Sequence, residues 1–113
     1  MNQKLNGVFS ICGSHLDGFP AIAATTTIVG GTSLDGPQAD VMLGAWNAFQ
    51  AAQRVIKEAA TNTQVTEAIA KACESFEVNP VEGVLSHRVK KHCIDANDCI
   101  INKETSTSQV EEF

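Results

Sequence analysis

One short stretch of this 113-residue chain crowds together histidine, arginine, lysine and cysteine: His87-Arg88-Val89-Lys90-Lys91-His92-Cys93, with Cys99 close behind. Three kinds of chemistry follow from these residue types. Imidazole and thiolate groups bind transition metals, so His87, His92, Cys93 and Cys99 raise a zinc hypothesis. Structural zinc sites, however, hold their ligands in tight pairs such as C-x2-C or H-x3-H, and Cys93-x5-Cys99 is not such a pair. Buried or surface thiols are the simpler reading. Arg88, Lys90 and Lys91, next to His92, form a basic spot suited to phosphate contacts. The competing reading is a solvated strand edge or turn, because four residues leave a weak electrostatic footprint. Finally, the run Val81-Glu82-Gly83-Val84-Leu85-Ser86-His87 sets His87 just after a short apolar strand. A histidine there is either a metal ligand or a structural residue, and nearby oxygen ligands decide which.

Composition narrows the choice. Hydrophobic residues make up 43% of the chain, as in a globular protein, and 113 residues suffice for one small domain. The net charge of -5 argues against a free-standing nucleic-acid binder, which normally carries a basic excess. The polar residues 1–7 do not read as a secretory signal, and the apolar runs are far too short for a membrane span. Cys12, Cys73, Cys93 and Cys99 are therefore expected to be reduced thiols in a reducing compartment.

The elements that must position these residues alternate in type. Val8, Phe9 and Ile11 predict a strand over 7–13, and Thr, Ile and Val predict another over 21–29. His15-Leu16-Asp17-Gly18 carries the Asp-Gly turn signal that joins them into an antiparallel hairpin, with Pro20 at a strand end. Gly30-Gly31 and Asp35-Gly36-Pro37 make a loop and a helix start. Met42, Ala45, Trp46, Phe49, Ala52 and Ile56 follow helical spacing within 38–60. They predict a long amphipathic helix packed on the hairpin, with Trp46 as a core anchor rather than a ligand platform. Thr61-Asn62-Thr63 offers an N-cap, and Val65, Ala68, Ile69, Ala72, Cys73 and Phe76 predict a second helix with Cys73 in the core. Asn79-Pro80 ends that unit. Val84-Leu85 and Cys99-Ile100-Ile101 are short strands around the turn Asp95-Ala96-Asn97-Asp98. The Thr-, Ser- and Glu-rich tail 103–113 reads as frayed or linker-like. An open hairpin edge invites cover by another chain, and the oligomeric state stays open. The fold class expected is α/β, of the α+β kind: hairpin, two amphipathic helices, then short strands.

Several stretches resemble the proliferation-associated, curved-DNA-binding branch of the methionine aminopeptidase-like, pita-bread (creatinase/aminopeptidase) family. They are Gly13-Ser14-His15-Leu16-Asp17-Gly18-Phe19, Ala39-Asp40-Val41, Asn62-Thr63-Gln64-Val65-Thr66-Glu67-Ala68, and Val81 to His87 running on to Lys91-His92-Cys93-Ile94-Asp95. The family fold is larger than this chain, so the resemblance implies a central fragment. Residues 1–8 do not match, 9–102 form a partial pita-bread domain, and 103–113 are a tail cut before the rest of the fold. Where the family has Lys-Pro-Gly after the long helix, this chain has Lys57-Glu58-Ala59, and the helix is expected to run on.

Active members of the family hold two metal ions with two aspartates, a histidine and two glutamates, because carboxylates neutralise and bridge paired dications. The resemblance puts Ile11 and Ile22 at the aspartate positions, His87 at the histidine position, and both glutamates after Phe113. An isoleucine has no lone pair to give. His87 is then the sole retained ligand-position residue, with a structural role, and no metal or other cofactor is expected. The branch implies a non-catalytic ribosome- or RNA-binding factor in ribosome biogenesis or translation regulation, cytoplasmic and nuclear, contacting ribosomal RNA and protein partners and no membrane. Arg88, Lys90 and Lys91 are the RNA-binding candidates. Two rivals stand beside it: a metal-dependent aminopeptidase, which Ile11 and Ile22 oppose, and a non-functional truncated fragment.

Overall fold

The computed structural model describes residues 7–30, 35–105, 110 and 112. The chain runs β1 (Gly7–Leu16), β2 (Phe19–Ile28), α1 (Gly36–Val55), α2 (Asn62–Glu74), β3 (Leu85–His87) and β4 (Cys99–Ile101). β1 and β2 form one antiparallel hairpin and β3 and β4 another. This is the mixed α+β arrangement expected. Both long strands reach further towards the turn than predicted, β2 stopping one residue short of its predicted end at Ile28, and they meet at a two-residue turn. Asp17 (φ 50°) and Gly18 (φ 87°) both take the left-handed backbone that such turns demand.

The second helix is built as its residues dictate. Thr61 caps it: its hydroxyl accepts from the Gln64 N–H, while the Gln64 side chain accepts from the Thr61 N–H. Val65 is fully buried at 0% exposure, and Cys73 is buried as predicted. Two buried polar residues of α2 reach the short sheet. Thr66 Oγ1 donates to the Ile101 carbonyl at 2.7 Å, and Asn62 Nδ2 donates to the Cys99 carbonyl at 3.4 Å. α2 thus satisfies main-chain acceptors of β4, which fixes the short sheet against it.

The first helix departs from its expectation. Trp46 is 62% exposed and Phe49 52%, while the buried positions are Gly44 and Ala48. The helices pack through this small-residue side. A Cβ on Gly44 would come within 2.6 Å of Val78 Cγ2 and 3.4 Å of Phe76 Cβ. Close backbone approach selected the small ridge, and the bulky stripe was left outside. Trp46 is therefore not a core anchor. Nor does α1 pack on the hairpin; its main neighbour is α2, which in turn meets β4.

The helix also stops sooner than expected. Ile56 is its C-cap, and Ala60 N–H donates to the Lys57 carbonyl at 3.0 Å in a turn. Ala59 takes φ 63°, so the turn keeps a left-handed residue without a glycine to hold it. Ala60 behind it is buried.

The expected non-matching stretch 1–8 lies mostly outside the described residues, as do Gly31 of the predicted loop and most of the tail beyond Thr105. Glu112, which is described, makes an isolated antiparallel bridge with Thr61, so the tail is not frayed at that point. All four cysteines are thiols.

Candidate functional site

β3 delivers His87 at its end, and the chain then folds back on itself twice. Arg88 N–H donates to the Asp98 carbonyl at 2.8 Å, and Ala96 N–H donates to the Arg88 carbonyl at 3.0 Å. Lys90 and Cys93 exchange main-chain bonds of 2.8 and 2.9 Å, closing a tight turn with Lys91 and His92 at its tip. His92 takes φ 59° there. The Asp95-to-Asp98 segment contains the predicted turn, with Asn97 at φ 69°.

This tip is where the long hairpin docks. His92 N–H donates to the Gly18 carbonyl at 2.7 Å. Gly18 takes φ 87°, a backbone that favours glycine, and a Cβ on it would displace the His92 ring. Beside the contact, Lys91 Nζ sits 5.6 Å from the centre of the Phe19 ring, a cation–π distance. A cleft of about 380 Å³ opens between His15, Pro20, His92 and Ile94.

The sequence-predicted residues fall into different roles. Lys90 and Lys91 are exposed at the tip. Arg88 is committed: its guanidinium pairs with Asp98 at 2.8 Å. His87 Nδ1 lies 3.4 Å from Asp95 Oδ1 and 3.9 Å from Cys99 Sγ. Cys93 Sγ donates to the Asp95 carbonyl at 3.1 Å. Among the described residues, no group of three or more His, Cys, Asp or Glu is placed to hold a metal ion. Ile11 and Ile22 share one face of the hairpin, offset by two pair positions, with both side chains exposed.

Asp95, Asp98, Gly18 and Phe19 are site residues that sequence reasoning missed. The aspartates were legible only as turn formers. Gly18 was legible only as a turn former and Phe19 not as a site residue, because their role here arises from two turns meeting across some seventy residues.

The arrangement is that of a small α+β chain with an exposed basic turn, one cation of which is internally neutralised. No protein-family model matches the chain. It is similar to the curved DNA-binding protein of Schizosaccharomyces pombe, 40% identical over 101 residues, which are 89% of this chain and 26% of that protein. It is also similar to ERBB-3 binding protein 1 of Arabidopsis thaliana, 38% identical over 100 residues, 88% of this chain and 26% of that protein. Proliferation-associated protein A of Dictyostelium discoideum is 35% identical over 104 residues, covering 89% and 27%. The resemblance to the proliferation-associated, curved-DNA-binding branch thus rests on relatives named for binding or proliferation, not for a reaction. The chain spans about a quarter of the length of the curated relatives it matches. Among the described residues no helix is long and apolar enough to cross a membrane.

Proposed function

We propose that residues 9–102 are a non-catalytic, pita-bread-like segment of a proliferation-associated factor. The segment binds RNA, with ribosomal RNA as the expected class, in cytoplasm and nucleus, and takes part in ribosome biogenesis or translation regulation. The observation that carries the reading is the Lys90–Cys93 turn, which leaves Lys90 and Lys91 exposed at a tip hydrogen-bonded to the Gly18 carbonyl through His92. Lysines so held make point-charge contacts to phosphate, which position a nucleic acid without reading its sequence. Arg88 contributes less, because binding a phosphate would mean leaving Asp98. The names of the relatives support a binding role, and one of them names a nucleic acid. The isoleucines at positions 11 and 22 support a segment without metal chemistry, since neither side chain can ligate.

Fluorescence anisotropy with a labelled ribosomal RNA fragment over a salt series tests this. Affinity is expected to fall with salt, and Lys90→Ala with Lys91→Ala should flatten the log–log slope by about 0.7 per single-strand phosphate contact removed. Binding that is flat in salt, or unmoved by the double substitution, would remove this turn as the contact.

A further inference from the structure

The cations of the basic turn are not held alike. A carboxylate fixes the Arg88 guanidinium, 2.8 Å from Asp98 Oδ2, and cancels its charge. Among the described residues neither Lys90 nor Lys91 is in an ion pair, and of the two only Lys91 lies over an aromatic ring. Its Nζ is 5.6 Å from the centre of the Phe19 ring. The ring attracts the ammonium through its quadrupole but carries no net charge, and it leaves the N–H donors to other acceptors. Lys91 is thus restrained without being neutralised. The backbone sets this restraint. His92, which follows Lys91, donates its N–H at 2.7 Å to the carbonyl of Gly18, which precedes Phe19. One main-chain bond therefore brings lysine and ring together, and both partners belong to this chain.

We propose that Phe19 is a positioning residue for Lys91, which makes Lys91 the principal phosphate contact of the turn; this rests on the RNA-binding reading above. A lysine stem is flexible, and ordering it on a phosphate costs entropy. A stem already laid over a ring has lost part of that freedom before the ligand arrives. Lys90 carries the same charge without that restraint, and Arg88 carries the restraint without a spare charge. The three cations therefore rank Lys91, Lys90, Arg88 in their contribution to binding. The hairpin, which offers no cation of its own beside the turn, thereby takes part in the site through one ring.

Two measurements on the whole chain test it, one with RNA and one without. In NMR spectra of the RNA-free chain, the ring current of Phe19 should move the Lys91 ε-methylene protons upfield of those of Lys90. Phe19→Leu should abolish that shift and Phe19→Trp should keep it, since indole is the better partner for a cation. Protection of the His92 amide from exchange checks that the bond to Gly18 survives in each variant. With the labelled ribosomal RNA fragment at fixed salt, Phe19→Leu should weaken binding by about two- to fivefold, and Phe19→Trp should leave it unchanged. Lys91→Ala should weaken binding more than Lys90→Ala, and Phe19→Leu should add nothing in the Lys91→Ala background. Absence of the upfield shift would overturn the proposal while leaving the RNA reading in place. So would tighter binding by Phe19→Leu, which would make the ring a competitor of phosphate, or a further loss in the Lys91→Ala background, which would give Phe19 a role of its own. RNA affinity indifferent to both lysines would sink the RNA reading and this role with it, whatever the NMR spectra show.

Discussion

Ala59 is the residue most at odds with its backbone. A non-glycine residue in the left-handed region costs about 1–2 kcal/mol, while glycine costs about 0.4–1 kcal/mol in unfolded-chain entropy. Ala59→Gly is therefore expected to stabilise the chain by about 0.5–1 kcal/mol, measured by urea unfolding with the slope unchanged. A loss of stability would mean that the turn does not hold φ 63° in solution. Cys73 makes a second residue-scale statement. Burial pushes its thiol above the ordinary value of 9.0. Below that pH both folded and unfolded chains keep the proton. Above it the unfolded chain loses its proton first, so stability is expected to fall as pH rises beyond 9.0. At pH 8 alkylation of Cys73 should lag well behind that of the exposed Cys12 and Cys93, and equal rates would place it outside the core.

At the element scale, α1 shows how two helical patterns can compete within one sequence. Its bulky positions, Met42, Trp46 and Phe49, repeat with helical spacing, and so do its small ones, Gly44, Ala48 and Ala52. Periodicity alone cannot choose between them, because both are amphipathic stripes. The choice was made by α2 and the segment carrying Phe76 and Val78, which come close only where α1 is thin. Gly44→Leu is expected to cost about 1–3 kcal/mol by overpacking. Gly44→Ala should come out near neutral, since about 1 kcal/mol of helix propensity offsets the push on Val78. Urea midpoints of both variants would check this, and a neutral Gly44→Leu would show that the segment carrying Phe76 and Val78 does not meet α1 at this glycine. α2 was far more legible. A cap, a glutamine three residues on and an apolar stripe all sat in one local window, and each formed as written. The basic turn was legible in composition alone. Its two lysines could be named, but not the loss of Arg88 to Asp98, which needed the chain folded back across ten residues.

For the whole molecule, the buried apolar set is small: Ala48, Ala60, Val65, Cys73 and Ala96 among the described residues. Three of the five are alanines, which contribute little area each, so hydrophobic stabilisation is modest. Meanwhile Phe9, Ile11, Leu16, Phe19, Ile22, Trp46 and Phe49 face outward. The chain is expected to raise the fluorescence of a hydrophobic dye in its folded state and to unfold at low temperature with a shallow transition. Repeating the melt by circular dichroism with cobalt or zinc should leave the midpoint in place. A rise with metal, which mass action would produce for any site formed only in the folded state, would overturn the non-metal reading of His87.

The order of elements, the Asp17-Gly18 turn, the Thr61 cap, the burial of Cys73 and the short strands were determined by the sequence by itself. The turn and the cap depend on interactions within a few residues, where residue type dictates backbone geometry directly, and the short strands and Cys73 were marked by their local apolar pattern. Only the tertiary structure decided which stripe of α1 is buried, that the hairpin meets the Lys90–Cys93 turn through Gly18 and His92, and that Arg88 is neutralised while Lys90 and Lys91 are not. Those outcomes depend on which surfaces approach one another, and close approach is a property of pairs of distant segments that neither segment encodes alone.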